Sequence, residues 1–287
     1  MPLRLRARTA TSAWRRLHST QSRTFLPIAE HADSKAQSFD PLRPAIFRNR
    51  FGDIPAISKW FTPHSSESGF HELNASYLEP YGSTLVPLEL TRLHTTARED
   101  ARISSFERLQ TPLSLLISHI TSSYDPSTRL YLAQCPLEDL PAELQKDLPM
   151  PDLVSQIGKG DVYGSSLWMG KPPTMTPLHR DPNPNLFVQL AGKKIVRMMK
   201  SNAGRDLYMR VRAGSGHANM RGEEMMVGDE NARLETAVWG KEGRAEGIQG
   251  WEAELQSGDG LYVPLGWWHS VRGVGSGVNG SVNWWFR

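Results

Sequence analysis

The stretch Thr176-Pro177-Leu178-His179-Arg180-Asp181-Pro182-Asn183-Pro184-Asn185 decides how the rest of the chain is read. It sets an imidazole and a carboxylate two residues apart. Side chains alternate faces in an extended chain, so His179 and Asp181 point the same way. Pro182 disfavours helical backbone at the residue before it, which supports the extended reading at Asp181. One imidazole and one carboxylate on a shared face are two of the three ligands in the two-histidine, one-carboxylate set that binds non-haem Fe(II). The missing histidine should lie far downstream and sit beside this strand. His269, in Gly266-Trp267-Trp268-His269-Ser270-Val271-Arg272, is the natural candidate. Such a His-x-Asp pair taken alone also fits a surface or a turn, so its surroundings decide.

Outward from this stretch the pattern is one of short strands. Val162 to Met169, Leu186 to Leu190, Ile195 to Met199, Trp251 to Leu255, Leu261 to Pro264 and Ser281 to Phe286 are apolar or alternating runs separated by turn residues. Close spacing of this kind predicts an antiparallel sandwich or barrel. Residues 200–250 interrupt it with a glycine-rich, charged segment of no sustained period, predicted to be an insertion without regular structure. His217 falls there and is not expected to bind metal, because a mobile loop holds a ligand poorly. Before the strands, Arg43 to Asn49 reads as a short strand, with a helical or turn segment near Trp60. Ser83 to Leu90 reads as a strand with an edge or bulge at Pro87, and residues 91–104 as loop. Leu113 to Ile120 has helical spacing after Thr111-Pro112, so His119 is a helix-surface or core residue. Arg129 to Gln134 reads as a strand and Leu137 to Leu148 as a short helix.

Composition narrows the function classes. No apolar run approaches the ~18 residues of a membrane-spanning helix. A single cysteine, Cys135, excludes an intrachain disulfide and a cysteine-based zinc module, and reads as a small buried hydrophobe. The formal charge of +3 is unevenly spread. Residues 1–25 carry six arginines, Arg4, Arg6, Arg8, Arg15, Arg16 and Arg23, and no acid. Arginine-rich, serine-rich and acid-poor, this is the composition of a mitochondrial presequence, with a basic tail or a plain disordered end as the alternatives. Without those six, 33 − 6 = 27 basic residues face 30 acidic ones, about −3 for the remainder. That balance argues against nucleic acid as a partner. Residues 1–25 are thus read as presequence, 26–40 as linker and 41–287 as a single domain carrying the insertion at about 200–250.

A set of motifs then occurs in order: Leu167-Trp168-Met169-Gly170, Thr176-Pro177-Leu178-His179-x-Asp181, Gln189-Leu190-Ala191-Gly192-Lys193-Lys194, Gly258-Asp259-x-Leu261-Tyr262-Val263-Pro264-x-Gly266-Trp267-Trp268-His269 and Val282-Asn283-Trp284-Trp285-Phe286. From about Arg43 to the C-terminus, the insertion apart, the chain resembles a Jumonji-C (JmjC) oxygenase of the cupin-like, protein-hydroxylase branch. The resemblance implies a mainly β fold with flanking helices, a double-stranded β-helix of the cupin or jelly-roll type. It implies that His179, Asp181 and His269 hold Fe(II). It implies that Lys194, on the adjoining strand, binds the far carboxylate of 2-oxoglutarate, with Tyr131 and Thr176 as hydroxyl donors and the Asn185 amide near the cosubstrate. Lys193 reads as a solvated turn lysine, and Trp168 as an aromatic near the site or in the core.

The activity implied is Fe(II)- and 2-oxoglutarate-dependent hydroxylation of a C–H bond, most simply on a protein side chain, consuming O₂ and giving succinate and CO₂. Demethylation by the same chemistry, RNA-base hydroxylation, and a non-catalytic cupin-like scaffold are the alternatives, since a cupin barrel alone does not establish catalysis. The chain departs from the family in its long insertion, which suggests a lid or a partner surface, and in the glycine-rich run Gly273 to Gly280.

Overall fold

The computed structural model describes residues 25–31, 40–64, 70–95, 101–122, 127–211, 226, 229–240 and 248–287. The first strands and helices are β1 (Phe25–Pro27), β2 (Ala45–Phe47), α1 (Pro55–Trp60), β3 (Phe61–Pro63), β4 (His71–Leu73), α2 (Ala75–Leu78), β5 (Leu85–Thr95), β6 (Ala101–Pro112), α3 (Leu113–Thr121) and β7 (Thr128–Pro136). Then come α4 (Ala142–Lys146), α5 (Asp152–Ile157), β8 (Val162–Gly170), β9 (Thr174–Arg180), β10 (Asn185–Ala191) and β11 (Lys193–Met199). The chain ends with α6 (Ser201–Val211), α7 (Asp229–Trp239), β12 (Gly250–Leu255), β13 (Gly260–Val263), β14 (Trp268–Val274) and β15 (Asn279–Phe286).

Two sheets carry the fold. The larger has the order β2-β13-β10-β15-β8-β7-β5-β6, the smaller β1-β12-β11-β14-β9, and β3-β4 forms a separate pair. All pairs are antiparallel except β1 on β12. This is the jelly-roll architecture expected, mainly β with flanking helices. Consecutive strands swap between sheets: β9 in the smaller, β10 in the larger, β11 back in the smaller. Gly192 makes the turn between β10 and β11 at φ 70, and an added Cβ there would press on the Val278 carbonyl oxygen at 2.7 Å.

Period-two alternation assigns each strand face to its layer. Val282, Trp284 and Phe286 of β15 join the main core beneath α1 to α5. Phe187, Val196, Leu261, Val263 and Val271 pack between the two sheets. Leu178, Met199 and Trp268 face the other way, under Leu207 and Tyr208 of α6 and Leu234 and Val238 of α7.

Several expectations need correction. Residues 91–104 are not simply loop, because β5 and β6 run into this segment as a long hairpin that pairs Thr95 with Ala101. Its polarity is that of an edge strand, since β6 closes the sheet. The expected linker 26–40 begins instead as part of the smaller sheet, where Phe25–Pro27 pairs with Gly250 to Glu252, and Glu30 then bridges to Ile46 of the larger sheet. A three-residue strand is too short to show a period. The helix expected over Leu137 to Leu148 is split at Leu140-Pro141 into a 3₁₀ turn and α4. The insertion contains α6 and α7, whose buried Gly204, Leu207 and Tyr208, and Leu234, Ala237 and Val238, sit at helical spacing. Residues 1–24 of the presequence reading, and His217, lie outside the described residues. No described helix is long and apolar enough to cross a membrane.

The helical flank is tied on by one buried carboxylate. Asp147 accepts hydrogen bonds from Lys59 Nζ (2.5 Å), Tyr77 Oη (2.6 Å) and Trp60 Nε1 (2.9 Å). Burial would raise its pKa, but these three donors outweigh that and hold it below the usual carboxylate range. A lowered folded pKa stabilises above the unfolded pKa, and the contribution is lost as pH falls through the folded value. Asp147→Asn is therefore expected to cost about 1–3 kcal/mol at neutral pH. In urea denaturation, the gap between wild type and variant should narrow below about pH 4.

Candidate metal centre

The site begins with strand register. In the β9–β14 ladder His269 lies directly opposite His179, with ring centroids 4.1 Å apart. The ladder then slips, so that Val271 faces Thr176 and β9 carries an extra residue around Pro177. Proline has no N–H to give a ladder and is at home in such a bulge. The Ser270 hydroxyl donates to the Thr176 carbonyl (2.9 Å) at this slip.

Asp181 follows the last residue of β9 and brings its carboxylate back to both rings. Oδ1 lies 3.7 Å from His179 Nε2 and Oδ2 lies 3.6 Å from His269 Nε2. Each of the three residues offers one ligand atom within 4.8 Å of the others. His179 Nδ1 is 2.8 Å from the Pro177 carbonyl and His269 Nδ1 is 3.4 Å from that of Trp267. The Nδ1–H groups therefore point at backbone oxygens, and both Nε2 lone pairs face Asp181. Burial pushes the His179 pKa down to about 4, and the neighbouring His269 adds to this. Burial opposes ionisation of Asp181, but the two imidazoles outweigh it and hold the carboxyl below its usual range. Two imidazole nitrogens and one carboxylate are a donor set that fits a divalent metal.

Asp181 is itself held. Asn185 Nδ2 donates to Oδ2 (2.9 Å), and Asn283 Nδ2 donates to Asn185 Oδ1 (2.9 Å). The Trp285 indole also favours the carboxylate, although its N–H lacks the geometry of a full hydrogen bond. Asn185 thus lines the cavity, with its amide committed to Asp181 and not to the cosubstrate end.

This cavity, between the two sheets and partly open to solvent, is lined by these residues. At its other end lies Lys194, 2% exposed. Its ammonium donates to Ser281 Oγ (2.6 Å) and Tyr131 Oη (3.3 Å) and lies 5.2 Å from the Phe187 ring centroid. Among the described residues no carboxylate lies in ion-pair range, and burial alone pushes its pKa down to about 7. β14 separates β11 from β9, so Lys194 is two strands from His179 and not on the adjoining strand as expected.

Burial raises the Tyr131 pKa, the charge of Glu89 adds to this, and a hydrogen bond with Thr174 opposes it. Thr176 and Trp168 both line the cavity, and the Trp168 indole N–H is buried without a partner. Half-buried Lys193, where β11 begins, does not line the cavity. Ser281, Asn283 and Gln134 were missed from sequence. Gln134 lines the cavity from the bulge in β7 at φ 50, an unusual backbone for a residue other than glycine. The signal for the other two was the alternation of Asn279, Ser281 and Asn283 along an otherwise apolar last strand. Asn185→Ala is expected to weaken divalent-metal binding about 10–100-fold with the fold intact. Competition against a chromophoric chelator measures it.

Comparison with known proteins follows the same lines. The cupin-like domain family matches residues 33–287. Lysine-specific demethylase JMJ30 of Arabidopsis thaliana is 27% identical over 245 residues, 85% of this chain and 50% of its own. Lysine-specific demethylase 8 of Danio rerio is 26% identical over 255 residues, 88% of this chain and 55% of its own. The human bifunctional peptidase and (3S)-lysyl hydroxylase JMJD7 is 29% identical over 163 residues, 54% of this chain and 46% of its own. The chain spans about half the length of these curated relatives. With nearly its whole length matched and a two-histidine, one-carboxylate cluster sharing a cavity with a buried lysine of the same sheet, the chain belongs to the cupin-like JmjC family of Fe(II)- and 2-oxoglutarate-dependent oxygenases.

Proposed function

We propose that this chain binds Fe(II) and 2-oxoglutarate and hydroxylates a C–H bond on a protein side chain, releasing succinate and CO₂. One observation carries the reading. The cluster of His179, Asp181 and His269 opens onto the same cavity as Lys194, a buried cation whose counter-charge is missing among the described residues. Fe(II) with 2-oxoglutarate supplies oxidative decarboxylation of the keto acid coupled to transfer of one oxygen atom to the C–H bond.

The chain's own residues do the rest. A divalent ion with one carboxylate ligand keeps a net positive charge, which suits a dianionic chelator. Lys194 meets the far carboxylate in a charge-assisted contact, with the Ser281 and Tyr131 hydroxyls beside it. Asn185 holds Asp181 in the orientation that shares it between the two histidines. Phe187, Val196, Leu261 and Val271 keep the cavity wall apolar, which excludes water and strengthens every charge contact inside. A protein substrate is supported by the lysyl hydroxylase and lysine-specific demethylases among the relatives. Those demethylase names also favour a second reading, in which hydroxylation falls on an N-methyl group and formaldehyde leaves. A product heavier by one oxygen atom supports the first, and formaldehyde release the second.

The first test needs no substrate. Anaerobic Fe(II) and 2-oxoglutarate should give a visible metal-to-ligand charge-transfer band that His179→Ala abolishes. Lys194→Ala should need about 10–100-fold more 2-oxoglutarate for the same band. Because Lys194 titrates near 7 and a bound carboxylate raises that value, binding takes up a proton above neutral pH. The affinity should fall as pH rises from 7 to 9, by at most about tenfold per unit, and Lys194→Ala should lose that slope. No band in folded wild type would sink the reading in favour of a non-catalytic scaffold.

We also propose that residues 1–25 direct the chain to mitochondria, on their arginine-rich, acid-free composition. A fluorescent protein fused behind residues 1–30 should localise there, and a diffuse or nuclear signal would overturn it.

A further inference from the structure

The insertion helices sit behind the metal centre. No residue lining the cavity comes from α6 or α7. Both pack instead on the opposite face of the smaller sheet, and they engage the two residues that flank His269 on β14. Trp268, on one side, packs under α6, with the Tyr208 ring 5.1 Å away and the backbone of Gly204 too close to the indole to admit a Cβ. Ser270, on the other side, accepts a hydrogen bond from Trp239 Nε1 of α7 (2.8 Å). The same Ser270 hydroxyl donates to the Thr176 carbonyl at the ladder slip. Trp239, Ser270 and Thr176 therefore form a chain of hydrogen bonds from the insertion, through β14, to β9.

Trp239 is fixed in turn. Its ring lies under the guanidinium groups of Arg197 and Arg272, each 4.5 Å from the ring centroid. Arg197 also donates to Glu252 and to the Val238 carbonyl (both 2.6 Å) and lies over Phe25. Arg272 pairs with Glu235 (2.5 Å). Two arginines on the sheet thus bolt α7 down where its indole N–H meets Ser270.

We propose that α6 and α7 act as a clamp that sets the metal ligand His269 from the far side of the sheet, with Trp239 a positioning residue acting through Ser270. The inference rests on the iron reading above. The Ser270 hydroxyl caps the Thr176 carbonyl where the ladder slips, two positions from Leu178 and three from His179. Without it, β9 and β14 lose a tie at the point that brings His179 opposite His269. Residues that orient metal ligands without touching the metal set its affinity.

The test uses the full chain loaded with Co(II), whose visible bands report ligand geometry without turnover. Trp239→Phe keeps an aromatic ring between the arginines and removes the indole N–H. Ser270→Ala removes the link, and Ser270→Thr keeps a hydroxyl. Trp239→Phe and Ser270→Ala should each bind Co(II) about tenfold more weakly with shifted visible bands, while melting of the metal-free protein stays near wild type. Ser270→Thr should restore affinity and spectrum. Wild-type affinity and bands in both Trp239→Phe and Ser270→Ala would overturn the clamp and leave the helices as a cover. Weaker binding with unchanged bands and a matching fall in metal-free melting would also overturn it, as general loosening. A wild-type chain that binds no Co(II) would instead overturn the iron reading itself, which the charge-transfer band tests separately.

Discussion

The site depends on the register of β9 against β14. A slip of one residue would turn His269 toward the insertion helices and Ser270 toward the cavity, because strand side chains alternate faces. The register is held on both sides of β14. On one side, β11 pairs with it without a break from Lys193–Val274 to Met199–Trp268. On the other, the slip at Pro177 and the Ser270–Thr176 bond allow His179 and Thr176 both to reach the cavity. The same stack fixes Lys194, which pairs with Gly273 four residues beyond His269. One strand ladder therefore sets both the ligand cluster and the span from it to the buried cation.

Electrostatics explains why that span is useful. Among the described residues, buried Lys194 has hydroxyl partners alone, and its ammonium is destabilised accordingly. An unpaired buried charge is costly, and the cost is relieved by a ligand that brings the opposite charge. The cavity also holds polar groups without partners, the Trp168 indole N–H and Asn283 Oδ1. Unsatisfied groups of this kind cost about 1–3 kcal/mol each in a closed core. Their presence in the wall of the cavity that Lys194 and the histidines share is the pattern of a site shaped for an occupant.

How much could be read from the sequence follows from the range of each interaction. The ligand cluster was legible because His179 and Asp181 sit on one short extended stretch and His269 lies in a distinctive Trp-Trp-His run. Strands β8 to β11 were legible from their turns and apolar runs. What stayed hidden depends on neighbours that periodicity does not show. Ser281 and Asn283 become site residues only because β15 lies between β10 and β8. Lys194 could be assigned a role, yet its place two strands from His179 needed the sheet order. The Asn185 amide was expected at the cosubstrate, and only the side-chain geometry shows it turned to Asp181. Arg197, Arg272 and Trp239 stand out only once α7 is laid across the sheet.

The insertion changes meaning in the same way. Glycine-rich and charged in sequence, it suggested a lid over the cavity or a surface for a partner. Its described helices contribute nothing to the cavity wall and cover the back of the strand that carries His269. A sheet one residue thick cannot isolate its two faces: inward His269 and outward Ser270 share one peptide unit. A shift of either helix against β14 moves Trp268 or Ser270, and His269 lies between them. The outer face of the smaller sheet is therefore part of the metal site's geometry, although no atom on that face can reach a metal.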